Sequence, residues 1–305
     1  MAWSRGGENC RTQSGSGWFR LRPHLPTSGR RGGRWVSHRR IINGVLCRQR
    51  TGAPWRDPPA RFGPWKTVYE RHRRWSADGT WDRVFAAVLA DADAEGRIDW
   101  SMVECGLHLL PGPPGCRRGP QNSAASAGKR RTRTPRQHRT DEGLGDSAVP
   151  GGLTCKIHFA GEGGCRPLAL LITPGQWGDA PQLIPVMERI RVSRLGGGRP
   201  RTRPDHLGGD KAYSSRRNRR YLRRRQIKHT IPEPKNQRAN RQRRGSSRGG
   251  RPAGFDKTIY KRRIEVERTI NALKNFRVVA TRFGKRACIF HGTVTVAAIH
   301  LWLGS

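Results

Sequence analysis

Acidic residues are scarce in this chain: 22 Asp and Glu stand against 61 Lys and Arg, which leaves a formal net charge of +39. An excess of that size strains a compact fold by self-repulsion unless a polyanion neutralises it. Nucleic acid is the partner this composition points to, with strongly salt-dependent binding. Close cysteine pairs are also lacking. The seven Cys, at positions 10, 47, 105, 116, 155, 165 and 288, contain no Cys-x2-Cys, which argues against a zinc site. An odd count with no secretory signal fits reduced thiols in a cytoplasm. No apolar run approaches the roughly 18 residues a membrane span requires. Hydrophobic residues reach only 34%, yet ten Trp and regularly placed apolar runs favour globular structure over a basic tail or a ribosome-type protein.

The 305 residues allow one large domain or two ordinary ones. Residues 1–17 are polar, Gly/Ser-rich and aperiodic, and read as disordered. Residues 18–95 read as a small helical domain, with helices over 35–50, 64–76 and 82–92. The middle helix is basic, an arrangement similar to a helix-turn-helix DNA-binding module. Tyr69, Arg71, Arg73 and Arg74 would then face a DNA groove or its phosphates; a small bundle with solvated arginines has the same pattern. From 97 the signals change to strands, in IDWSMV, LTCKIHFA and RPLALLIT, the last two forming a hairpin across GEGG. A helix over 179–190, a short strand ending at Asp210, a very basic helix over 214–225 and the strand IKHTIPE follow. Residues 234–254 are low-complexity and basic, and read as a flexible, DNA-tracking loop.

The stretch FDKTIYKRRIEVERTINALKN, residues 255–275, lacks Gly and Pro and reads as one helix. Ile259, Val266, Ile270 and Leu273 make its apolar stripe, while Tyr260, Arg263, Glu267 and Lys274 share an adjoining arc. A solvated surface helix would carry the same charges, so the spacing Tyr-x2-Arg-x3-Glu-x6-Lys is the informative part. With RLRPHLPTSGRRGG, WRDPPARFGPWKTVYERHRRW, HLGGDKAYSS and HGTVTVAAI, in that order along most of the chain, it resembles bacterial insertion-sequence transposases of the DDE type, in the insertion-sequence-five-like group.

The resemblance implies a ribonuclease-H-like α/β catalytic domain over 97–305, preceded by the helical DNA-binding domain. It implies Asp210 and Glu267 as the second and third carboxylates of an Asp-Asp-Glu triad holding two Mg²⁺ ions, with Mn²⁺ as a substitute. Arg263 and Lys274 would hold phosphates, and Tyr260 would contact the DNA backbone. The implied partner is double-stranded DNA, both terminal inverted repeats and target. A homodimer would act on it in the cytoplasm, at the nucleoid, with no membrane involved. The non-transposase alternative is a basic DNA- or RNA-binding protein without chemistry.

The first triad Asp is missing. The family carries Val-Asp-Ser-Thr just after the place of Trp100–Val103, whereas this chain continues Glu104-Cys-Gly-Leu-His-Leu-Leu-Pro-Gly-Pro-Pro-Gly-Cys116. The degenerate code allows codons for residues 105–114 that, read one base later, give Val-Asp-Ser-Thr-Ser-Cys-Arg-Ala-His. We therefore expect a frameshifted, irregular segment over about 104–128, with impaired catalysis; Glu104 and Asp99 are the substitute candidates for the third acid.

Overall fold

The computed structural model describes residues 37–111, 148–149, 152–245, 254–282 and 286–304. The expectations for 1–17, for 112–128 and for 246–253 lie outside the described residues. Three helices come first: α1 (His38–Thr51), α2 (Trp65–Ala77) and α3 (Thr80–Ala94). Each presents an apolar stripe at helical spacing, such as Ile41, Ile42 and Val45 on α1, and buries it.

The sheet is built from β1 (Val103–Pro111), β2 (Ala148–Val149), β3 (Gly152–Glu162), β4 (Pro167–Pro174), β5 (His206–Gly209) and β6 (Lys228–Thr230). Its order is β4-β3-β1-β5-β6, with the two-residue β2 paired to the start of β3. β3 runs antiparallel to β1 and β4, whereas β1, β5 and β6 are parallel. An antiparallel hairpin followed by parallel strands on the other side of β1 is the ribonuclease-H-like arrangement.

The parallel connections carry α4 (Leu183–Glu188) and α5 (Arg216–Arg224). Beyond β6 come α6 (Lys235–Arg243), α7 (Lys257–Tyr260), α8 (Ile264–Lys274), α9 (Arg277–Thr281) and α10 (Ala287–Leu303). α10 is buried on nearly every side, as a helix apolar all round must be. Its Thr293 and Thr295 hydroxyls donate to the carbonyls of Ile289 and His291, which satisfies them inside the core. α10 packs on α2, α3 and β4, so the helical segment and the sheet share one hydrophobic core. His72, Trp81 and Thr293 join there: Trp81 donates to His72 Nδ1 at 3.2 Å, and His72 Nε2 lies 3.2 Å from Thr293 Oγ1.

Three sequence expectations need correction. Residues 103–111 form a regular strand, because β3 pairs with their whole length and β5 with their first three residues, and ladder bonds outweigh one glycine. Residues 235–243 form a helix, since straight-chain Lys, Gln and Arg tolerate helix well once Pro234 fixes its entry. The 255–275 helix is broken: α7 and α8 are joined by a tight 3₁₀ turn over Lys261–Arg263. The three consecutive cations there diverge, Arg262 toward Asp99 and Glu265, Arg263 toward Tyr260 and Glu267.

Candidate active site

Asp210 follows β5 directly; its Oδ1 accepts the Lys211 backbone N–H at 2.6 Å and caps a 3₁₀ turn. The parallel register sets Val103 beside Leu207, Glu104 beside Gly208 and Cys105 beside Gly209. The pairing stops there, one residue before Gly106 on β1 and Asp210 after β5. Side chains alternate along a strand, so positions 104 and 106 look to the same face. That face is covered by α8: a Cβ on Gly106 would meet Val266 Cγ1 and Phe159 Cζ, each at 2.5 Å.

α8 brings Glu267 to this edge, with Val266 and Leu273 buried beneath it as the apolar stripe requires. Glu267 is exposed, and its Oε1 lies 3.9 Å from Arg263. Arg263 Nη1 donates to the Tyr260 hydroxyl at 3.3 Å. Partial burial works against the charge on Arg263, yet Tyr260 and the carboxylates of Asp210 and Glu267 hold its guanidinium above the ordinary value. Arg263 thus feels both expected triad members. Lys274 is exposed at the far end of α8, and its charge helps burial lower the His108 pKa.

The two substitute acids are differently engaged. Asp99 is bound by Arg262 at 3.1 Å and by the Ser101 backbone and hydroxyl at 2.9 and 2.6 Å. Against the opposing effect of burial, those bonds keep its carboxyl below the ordinary value. Glu104 is 3% exposed, and its carboxyl lies over Gly208, where any Cβ would overlap it. Burial, helped by the nearby Glu265 carboxylate, pushes Glu104 up to about 8, so it is a neutral acid at pH 7. Its Oε2, like that of Glu265, has no hydrogen-bond partner among the described residues. Glu265, which the sequence did not single out, is tied to Arg262 at 2.8 Å.

Of the helical residues expected to face DNA, Arg71 turns inward. It is 7% exposed, lies over the Trp75 ring at 5.5 Å and sits 3.3 Å from His38 Nδ1, which removes it from a groove-facing row. Tyr69 stands edge-on to Trp55, Arg73 pairs with Glu70 at 2.7 Å, and Arg74 is exposed.

A two-ion site for strand cleavage draws oxygen ligands from several carboxylates. The resemblance implies two of them, Asp210 and Glu267. Among the described residues no three His, Cys, Asp or Glu gather to hold a metal. The residues present do not fit a two-magnesium site.

The strand order defines a ribonuclease-H-like fold. The family profile described as "Transposase DDE domain" matches residues 150–302, and "Putative transposase of IS4/5 family" matches 14–85. The chain belongs to this family of DDE transposases. It is 35% identical over 147 residues to the "Putative transposase for insertion sequence element IS402" of Burkholderia cepacia, covering 48% of this chain and 60% of that one. It is 39% identical over 84 residues to the "Insertion element IS402 uncharacterized 16.2 kDa protein" of the same species, covering 27% of this chain and 57% of that one. The chain thus spans somewhat more than half the length of each IS402 relative. The "Crystal structure of the Mos1 mariner paired end complex with Mn" is similar at 9% identity and a TM-score of 0.25, covering 88% of this chain and 86% of that one.

Proposed function

We propose that this chain binds the double-stranded DNA of its insertion element, at the inverted-repeat ends, and does not cleave it. The observation that carries the reading is Gly106. It follows the last β1–β5 pair, Cys105 with Gly209, just as Asp210 does after β5, and it lies beneath the helix of Glu267, where the family's first metal-binding carboxylate would stand. Neither nearby acid takes its place: Asp99 is held by Arg262, and Glu104 is buried with its carboxyl turned toward Gly208. What remains is the capacity to hold phosphates. Tyr260 at the end of α7, Arg263 in the turn and Lys274 at the end of α8 offer phosphate contacts, and the net charge of +39 favours any polyanion. Pairing of two ends by two copies, which the family resemblance implies, belongs to the same proposal.

The test is a gel-shift and nicking assay on one duplex carrying an inverted repeat, with Mg²⁺ and then Mn²⁺. Retention of the duplex at low salt without nicking supports the proposal. Efficient nicking by the unaltered chain refutes it and assigns the third carboxylate to Glu104 or Asp99. Preference for RNA over the duplex refutes the DNA partner.

A further inference from the structure

Seven of the ten residues 216–225 are arginine. The structure divides them sharply. Arg219 donates to the Ile231 carbonyl at 2.8 Å, and Arg225 donates to the Tyr221 hydroxyl at 3.0 Å and to Thr202 Oγ1 at 2.9 Å. Arg219 thus ties α5 to the residue after β6, and Arg225 ties its C-terminal end to the loop at Thr202. The other five, Arg216, Arg217, Arg220, Arg223 and Arg224, are exposed. None of the five guanidinium groups forms a hydrogen bond or ion pair with the described residues.

Four of them, Arg216, Arg217, Arg220 and Arg224, line a shallow groove with Ile184 and Tyr221, and Glu188 is the one acid in its wall. Such a row works against its own helix. Like charges three and four residues apart repel, and Arg216 and Arg217 sit in the first turn, where the helix dipole disfavours cations. The opposite face of α5 buries Asn218, Tyr221 and Leu222, so the helix is held in place by packing while its outer face remains unneutralised.

The position of the row is fixed relative to the triad edge. Between Asp210 and α5 lies one 3₁₀ turn, whose buried Tyr213 donates its hydroxyl to the Gly106 carbonyl at 3.2 Å. Asn218, in the first turn of α5, donates to the Tyr213 carbonyl at 2.9 Å and to the Ala180 carbonyl at 2.7 Å. Arg217 to Arg224 spans about 10 Å at 1.5 Å per residue, enough to follow several consecutive phosphates of one strand.

We propose that the outer face of α5, through Arg217, Arg220 and Arg224, is a sequence-independent docking strip for the phosphate backbone of duplex DNA entering the Asp210 edge. This rests on the transposase-family reading of the chain. The strip carries no base recognition, because an arginine that meets a phosphate reads no sequence.

The experiment uses the full chain and a 30-base-pair duplex of arbitrary sequence, with Kd measured from low to physiological salt. For the triple variant Arg217→Ala/Arg220→Ala/Arg224→Ala, the slope of log K against log salt should shrink by roughly 0.9 per lost contact, about 2.7 in all. The matching Arg→Lys triple should keep the slope, since counterion release counts charge. A control that removes Arg39, Arg194 and Arg199 should change it much less. Unchanged thermal unfolding of each variant secures the comparison. A slope untouched by the alanine triple, or an equal fall in the control, overturns the docking strip alone. An unaltered chain that retains no duplex at any salt overturns both this inference and the proposed function.

Discussion

Substituting Glu104 by Gln should remove a defined piece of the pH dependence of stability. Glu104 has its folded pKa raised from 4.5 to about 8 by burial and by Glu265. Between those values the native chain holds a proton that the unfolded chain has released, so stability falls as pH rises. The favourable contribution is complete below about pH 4.5 and is lost once pH passes 8. At about 1.4 kcal/mol per unit of pKa, the full span is on the order of 5 kcal/mol. The wild-type curve alone will not display it, because His72, lowered to about 3, and His158, lowered to about 4, contribute in the opposite sense. Both are uncharged when folded, so their stabilisation is present above about 6.5 and declines as pH falls. The assay is therefore a difference: urea unfolding of wild type and Glu104→Gln at half-unit steps from pH 4.5 to 8.5. Gln keeps the shape of the protonated acid and cannot ionise, so the variant should gain steadily on wild type as pH rises. A difference that stays flat across pH 5–8 would refute the buried, neutral carboxyl.

Arg71→Ala should lower stability by about 1–3 kcal/mol through loss of its buried contacts with Trp75 and His38, while DNA affinity falls no further than a single charge explains; a larger specific loss of binding would put Arg71 back on the DNA side. His72→Phe, checked by thermal unfolding, should cost about 1–3 kcal/mol by leaving the buried Trp81 indole N–H without its acceptor, while the Thr293 hydroxyl keeps its bond to the Ile289 carbonyl. Gly106→Asp combined with Phe159→Leu, which relieves one of the two 2.5 Å contacts, should gain a Mn²⁺-dependent rise in melting temperature and nicking of inverted-repeat DNA. Gly106→Asp without that relief should be destabilised by about 1–3 kcal/mol from overpacking; a double variant that neither binds Mn²⁺ nor nicks would remove position 106 from the triad.

Much of the fold was legible because periodicity reports which face is buried. The helix expected at 64–76 is Trp65–Ala77, and that expected at 82–92 is Thr80–Ala94. Val266 and Leu273 lie under α8 as their spacing requires. The inward turn of Arg71 was also present in the sequence: Val68, Arg71, His72 and Trp75 share one helical face, so the basic residue type misled where the spacing did not. β1 was harder, because its Cys-Gly-Leu-His run has little strand propensity of its own and is held by β3 and β5, both remote in sequence. The equivalence of Gly106 and Asp210 depends on parallel register, which no local pattern encodes. Nor could composition separate the two anchoring arginines of α5 from the five outward ones, since only the sheet beneath distinguishes them.

The seat of α10 between the N-terminal helices and the sheet has a consequence for biosynthesis. His72 meets its partner Thr293 across a separation of 221 residues. At about 5–20 residues per second, a ribosome takes roughly 10–45 s to supply that partner. Until then the faces of α2 and α3 that hold Trp75, Trp81 and Val84 have no α10 to cover them, on a nascent chain that is also strongly cationic and close to RNA. The interval invites capture by chaperones and by nucleic acid alike, and supplying the helix peptide Ala287–Leu303 in trans during synthesis should shorten it.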